Sequence, residues 1–198
     1  MFFSHVIKAQ HENMPMLDSI LEKKIRLIDY EKITDKNKRR LVAFGKFAGN
    51  SGAVDIFSGL GTFLLSRGIG TPFINISQSY HYPFIDKAKS HIKDVGYQLK
   101  ISAFCKDLVP FIVGVTGAGR CAKGALEIVE CFPHEFITPD ELPNIYEKAK
   151  ENPDQHNKVV YIVQFTHEHM VKRKNAKEDT QFDKKDYYDN PEEYEGIF

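Results

Sequence analysis

The run Phe111-Ile112-Val113-Gly114-Val115-Thr116-Gly117-Ala118-Gly119-Arg120-Cys121-Ala122-Lys123-Gly124-Ala125-Leu126-Glu127-Ile128-Val129 leaves few folds open. It passes from an apolar stretch, through a glycine turn, into an amphipathic stretch. Gly117-x-Gly119-x-x-Ala122 stands at the junction and fits the turn that cradles a dinucleotide. Gly117 would make the tight turn, Gly119 would let backbone approach a pyrophosphate, and Ala122 would let helix and strand pack closely. The helix N-terminus would add free N–H groups and the positive end of its dipole. An acid roughly twenty residues further on would take the ribose hydroxyls. Asp140 is best placed for this, with Glu141 next, and an acid there would favour NAD over NADP. A helix N-cap before Leu142 accounts for Asp140 equally well. Strand-like runs at 135–138 and 158–164 follow, fewer than a whole dinucleotide domain contains.

Upstream, residues 13–24 have helical spacing, with Met16, Leu17, Ile20 and Leu21 on one face. Short β-like runs fall at 1–4, 25–29 and 41–44. Residues 44–67 form the longest helical pattern, yet they hold Gly45, Gly49, Gly52, Gly59 and Gly61. Each glycine costs up to about 1 kcal/mol in a helix, so their number predicts close packing against another backbone or a ligand. Residues 83–96 and 140–150 are also helical in pattern. Beyond Lys172 the composition turns charged and tyrosine-rich and predicts no firm element.

Charge and cysteine usage exclude several classes. The 198 residues carry 27 Lys+Arg against 27 Asp+Glu, without the basic excess of a general nucleic-acid binder. No apolar stretch approaches the ~18 residues of a membrane span, and residues 1–8 lack the features of a secretory signal. Cys105, Cys121 and Cys131 form no C-x-x-C pair, which speaks against a zinc site or disulfide scaffold and suits a reducing compartment. His167 and His169 would share a face of a strand, but no third metal ligand is in sight; a solvent-facing polar strand is expected. Cys121, at a helix N-terminus, reads as a small residue that fits the turn rather than a nucleophile.

A second constellation comprises His5, Lys8, Glu31, Arg39 and Arg40, each beside one of the short β-like runs. Strand ends are where α/β ligand sites collect. A histidine there could move protons near neutrality, and Lys and Arg could hold carboxylates. The spacing alone serves a surface histidine and a solvated basic turn just as well.

The runs FFSHVIKAQ (2–10), IRLIDYEKI (25–33), RRLVAFGKFAGNSGAVDIFSGLG (39–61) and TPFINI (71–76) resemble the lysine–2-oxoglutarate reductase and lysine-forming saccharopine dehydrogenase family. TGAGRCAKGA (116–125) matches its nucleotide turn, and FDKKDYYDNPEEYEGIF (182–198) resembles the segment that follows in the reductase. The resemblance covers almost the whole chain and places it in the alanine dehydrogenase/transhydrogenase superfamily.

The fold so implied is α/β: the end of an alanine-dehydrogenase-like N-terminal domain (1–44), a long connecting helix and linker (45–106), a partial Rossmann domain (107–172) and a charged tail (173–198). The implied enzyme is an NAD- or NADP-dependent oxidoreductase of lysine metabolism that interconverts lysine plus 2-oxoglutarate with saccharopine. By resemblance, His5 is the catalytic acid/base. Lys8, Glu31, Arg40 and Phe44 face the substrates. Arg39, Gly117, Gly119, Arg120, Ala122 and Asp140 face the cofactor.

The partners implied are those small molecules, with no nucleic acid and no membrane, in the cytoplasm or mitochondrial matrix. The family's catalytic lysine and a substrate-binding arginine precede the FFSHVIKAQ block, so the chain is expected to be an internal slice of the enzyme. Its further partner would then be the rest of that enzyme, or a second copy. An alanine-dehydrogenase relative with another substrate, or a nucleotide-binding fragment without catalysis, are the alternatives.

Overall fold

A computed structural model describes residues 1–175 and 180–197. The chain divides into two compact units, Met1–Phe44 and Gly45–Phe198.

The first unit contains one regular helix, α1 (Met14–Glu22), with Pro15 in its first turn. None of its residues is buried, and Leu21 stays 64% exposed despite the apolar stripe. The β-like runs 1–4, 25–29 and 41–44 are not strands. Phe2 forms a single parallel bridge with Asp29, and Thr34 a single antiparallel bridge with Arg40. The extended run from Phe2 breaks at His5, whose φ of 57° starts the 3-10 turn Val6–Lys8. A non-glycine residue rarely takes that conformation, and here it ends the pairing before a ladder can grow.

The second unit is α/β. Helices α2 (Gly45–Ser66) and α3 (Ile85–Ser102) lead to β1 (Phe111–Thr116), α4 (Arg120–Val129), β2 (His134–Ile137), α5 (Leu142–Glu151), the short α6 (Pro153–His156) and β3 (Val160–Phe165). The helical pattern at 44–67 is α2 and that at 83–96 is α3, joined by the 3-10 turns Pro72–Asn75 and Ser79–His81. α3 runs through Gly96 to Ser102, and a β-carbon at Gly96 would sit 3.1 Å from the Cys131 carbonyl oxygen. The glycine there makes room for the turn after α4 and does not end the helix.

The three strands are parallel, in the order β1-β3-β2, with Phe111 opposite Val160 and His134 opposite the same residue. In a mononucleotide-binding half the first three strands lie in the order 3-2-1. Here the third has taken the central place. Its apolar run Val160–Val163 is fully buried, as a centre strand of a parallel sheet requires. Phe57 of α2, Phe73 and Phe132 pack around one another with centroids 4.7–5.4 Å apart, beside Ile92, Val95 and Leu99 of α3.

The glycines of α2 answer to two causes. A β-carbon on Gly49 would fall 2.0 Å from the Cys121 carbonyl oxygen, and one on Gly61 would fall 2.4 Å from the Ile74 nitrogen. Gly124 of α4 repeats the pattern against the Lys46 carbonyl oxygen. Asn50, 2% exposed, crosses the same contact and donates to the Gly124 carbonyl at 2.8 Å. α2 and α4 therefore touch backbone to backbone. Gly52 and Gly59, by contrast, face open space. Glu127 ties the same helices together through Lys46 (2.5 Å) and Lys89 of α3 (2.8 Å).

After β3, Thr166-His167-Glu168-His169 is a helical turn, α7 (His167–Met170), rather than a polar strand. The described part of the segment beyond it is also ordered. β4 (Val171–Arg173) pairs antiparallel with β5 (Tyr194–Gly196), enclosing α8 (Lys184–Asp189). Tyr187 and Tyr194 pack at 5.1 Å, with Tyr194 buried and Tyr188 left 60% exposed.

Candidate functional site

In the first unit, residues far apart in sequence converge on one buried carboxylate. Glu31, only 7% exposed, holds His5 Nδ1 at 2.9 Å through Oε2 and Arg40 Nη1 at 3.3 Å through Oε1. The turn that carries Glu31 is fixed locally. Asp29 accepts the Glu31 N–H at 2.9 Å and the Ser4 hydroxyl. The Ser4 bond is the main reason the Asp29 carboxyl lies below the usual carboxylate range. Phe3 stacks on the His5 ring at 5.0 Å, and the Arg40 guanidinium lies 5.7 Å over Phe3. His5 is thereby held through one ring nitrogen and one face.

The other expected residues of this unit are not part of that contact. Lys8 ends the 3-10 turn and is exposed. Arg39 closes the Asp35 turn through its backbone and leaves its side chain exposed. Phe44 is 52% exposed. The cluster sits on isolated bridges and 3-10 turns, not on the strand ends that the sequence predicts.

In the second unit, β1 ends at Thr116 and α4 begins at Arg120, with Gly119 as its N-cap. Gly117 has φ +82°, a conformation suited to glycine. Its N–H donates to the Phe165 carbonyl at 2.7 Å, and its own carbonyl accepts from Gln164 Nε2 at 2.8 Å. Gln164 is a positioning residue that sequence reasoning missed, for a single polar residue near the end of an apolar strand reads as solvent-facing. Gly119 has nothing within 4 Å of its β-position, and no side chain caps α4. Ala122 is buried at 6% exposure. Arg120 is exposed at the mouth of the turn. Open backbone and uncapped helix amides are what a pyrophosphate would need.

Asp140 lies three residues past the end of β2 and is exposed. Neither Asp140 nor an N-cap in its place secures the next helix. Glu141 stands at the N-cap of α5 without a side-chain bond to it, and its carboxylate closes the preceding 3-10 turn, Pro139–Glu141, by accepting from the Thr138 N–H at 2.7 Å and hydroxyl at 3.0 Å. Because β3 lies between β2 and β1, Asp140 is separated from the glycine turn by a whole strand. Among the described residues no group of three His, Cys, Asp or Glu side chains could hold a metal ion, and no helix is long and apolar enough to cross a membrane.

The second unit thus holds a parallel sheet with an open glycine turn, and the first a histidine–carboxylate–arginine cluster. No family model matches the chain. Over its whole length it is 40% identical to the alpha-aminoadipic semialdehyde synthase of Arabidopsis thaliana, of which it covers 19%. It is 39% identical over 98% of its length to the mitochondrial alpha-aminoadipic semialdehyde synthase of Bos taurus, and 36% identical over all of it to that of Mus musculus, covering 20% of each. The chain is thus homologous to one segment of these synthases and spans about a fifth of the length of the curated relatives it matches.

Proposed function

We propose that this chain is the segment of a lysine–2-oxoglutarate reductase that carries the acid/base group and the pyrophosphate turn. One observation carries the reading. His5, Glu31 and Arg40, which the resemblance assigns to one active site, meet within hydrogen-bonding distance in the fold. The homology to the synthases supplies the reaction class. The lysine ε-amine would condense with the 2-oxoglutarate ketone, and reduction of the imine would give saccharopine.

His5 is suited to hand a proton to the carbinolamine hydroxyl as it leaves as water. Glu31 fixes Nδ1, so Nε2 is the nitrogen that exchanges the proton. Arg40 spends one guanidinium nitrogen on Glu31 and keeps others for a substrate carboxylate. A bound NAD(P)H would supply the hydride. Gly117, Gly119 and the first turn of α4 would receive its pyrophosphate, with Arg120 beside them. The mitochondrial relatives fit a matrix location, and the cytoplasm remains the other compartment of the reading.

Two measurements test this. Titration of the chain with NADPH and NADH, followed by nicotinamide fluorescence, is expected to show binding that Gly119→Val abolishes. A valine there meets open space, so the fold survives and only the ligand is blocked. Unchanged affinity removes the nucleotide assignment. Grafted in place of the matching segment of the Arabidopsis synthase, the chain should sustain saccharopine formation, and His5→Asn in the graft should lower it about 10²–10⁴-fold. A graft indifferent to His5→Asn removes the catalytic assignment.

A further inference from the structure

We propose that the C-terminal segment containing Phe182, Lys184 and Tyr188 is the outer wall of the nucleotide site, with Lys184 as the cation that meets the phosphates. This rests on the assignment of the glycine turn made above.

A cavity of about 590 Å³ opens at the C-terminal ends of β1 and β3. Gly117, Ala118 and Gly119 form one side of it, and Phe182, Lys184 and Tyr188 another. Among the described residues that line it, Lys184 is the one lysine or arginine, with His167 beside it. Its ammonium lies 5.7 Å over the Tyr188 ring, and no described carboxylate forms an ion pair with it. Beyond that ring, its charge meets no described carboxylate and stands beside an open backbone turn. The acid that lines the cavity, Glu168, already accepts from the Thr166 hydroxyl at 2.7 Å. An anion entering this space would meet the α4 amides on one side and the Lys184 ammonium on another.

The wall is built, not merely adjacent. Asp183 caps α8 by accepting the Lys185 and Asp186 N–H groups. Asp186 then binds Tyr194 Oη at 2.7 Å, Asn190 Nδ2 at 3.0 Å and Arg173 Nη1 at 3.2 Å. Arg173 belongs to β4, which follows α7 directly, and α7 follows the strand whose Phe165 carbonyl holds Gly117. The frame that places Lys184 is continuous with the frame that places the turn. His167 joins the two sides: its Nε2 meets Tyr188 Oη at 3.1 Å, and its ring stacks near Phe182. Phe182 and Tyr188 thus present rings to a ligand that carries planar groups as well as phosphates, as a dinucleotide does.

The test uses the whole chain, with NADPH and inorganic pyrophosphate as probes, the latter by displacement of NADPH. Lys184→Met is expected to weaken both about tenfold, the worth of one hydrogen bond to a charged group. Lys184→Arg should restore binding, and Lys184→Met should also blunt its salt dependence. Lys184 is exposed, so its loss leaves the fold intact. Weakening by Lys184→Met together with abolition by Gly119→Val supports the wall. Abolition by Gly119→Val with no change in Lys184→Met overturns the wall and leaves the turn standing. If the unaltered chain binds no NADPH, or if Lys184→Met alone affects binding, the reading of the turn falls and the wall with it.

Discussion

Gly124 lies so close to Lys46 that a β-carbon on it would stand 2.0 Å from the Lys46 carbonyl oxygen. No side-chain movement relieves that clash, because both partners are backbone. Gly124→Ala must push α2 and α4 apart and break the Asn50 bond that crosses them. We expect a loss of about 3 kcal/mol in urea unfolding. Gly52→Ala, on the same helix α2 but facing open space, should instead stabilise by up to about 1 kcal/mol through helix propensity alone. Equal effects at the two sites would show that the helices do not meet where the structure puts them.

Glu31→Ala should loosen the first unit. It removes the carboxylate that both His5 and Arg40 use and leaves a space beside the Ser4–Asp29 contact. The expected cost is about 2 kcal/mol, below that of a fully buried pair because both partners of the carboxylate are partly exposed. Hydrogen exchange reads it locally: the Phe2 amide, bonded to the Ile28 carbonyl, and the Tyr30 amide, bonded to Phe2, should exchange faster. Unchanged protection of both would mean that the turn holds itself without Glu31.

Acid should weaken the second unit through Glu127. Hydrogen bonds from Lys46 and Lys89 hold its carboxyl down at about 2, from an ordinary value of 4.5. A carboxyl with a lowered folded-state pKa binds more protons when unfolded. Its contribution is therefore whole above pH 4.5 and is lost as pH falls from there towards 2. Because nearly a third of the side chain faces solvent, we expect only about 1 kcal/mol from it. Glu127→Gln should flatten this part of the acid-stability curve. A variant curve parallel to that of the unaltered chain would exclude the Lys46–Glu127–Lys89 link.

Gln164→Leu should keep the fold and loosen the turn. The strand carrying Gln164 keeps its backbone pairing, but the Gly117 carbonyl loses its partner. NADPH affinity is expected to fall about fivefold, the worth of one ordinary hydrogen bond, with unfolding midpoints little changed. An equal loss in stability and affinity would make Gln164 a structural residue only.

Periodicity carried as far as the elements that bury a face. The apolar run at Phe111–Thr116 and the amphipathic stretch after it are a strand and a helix because each has a core to pack against. The runs around Phe2, Ile25 and Leu41 are as β-like in composition, yet each finds at most one bridging partner, and nothing local reveals that. The positive φ of His5 is equally silent in the sequence, as is the meeting of its ring with Glu31 and Phe3. The glycine turn was legible because the φ of Gly117 suits glycine and the close packing of α4 on the strand suits the small Ala122. The Gln164 contact was not, since its partner, the Gly117 carbonyl, faces it across the fold. Tail composition misled for a related reason: charge dominates the count, while one aspartate, Asp186, gathers three partners and lets the rings close.

The central place of β3 has a consequence for how this chain comes into being. A ribosome delivers β1 and β2 first, and in the finished sheet neither pairs with the other. Both wait, with their hydrogen-bonding edges open, until Val160–Phe165 has been made and inserts between them. The three-stranded sheet is complete only once β3 is in place, and only then does the glycine turn have its anchors at Phe165 and Gln164. Such non-local closure is slow and leaves apolar strands open to neighbouring chains meanwhile. Translation speed and chaperone supply across residues 117–165 should therefore decide the yield of native protein more than the stability of the finished fold.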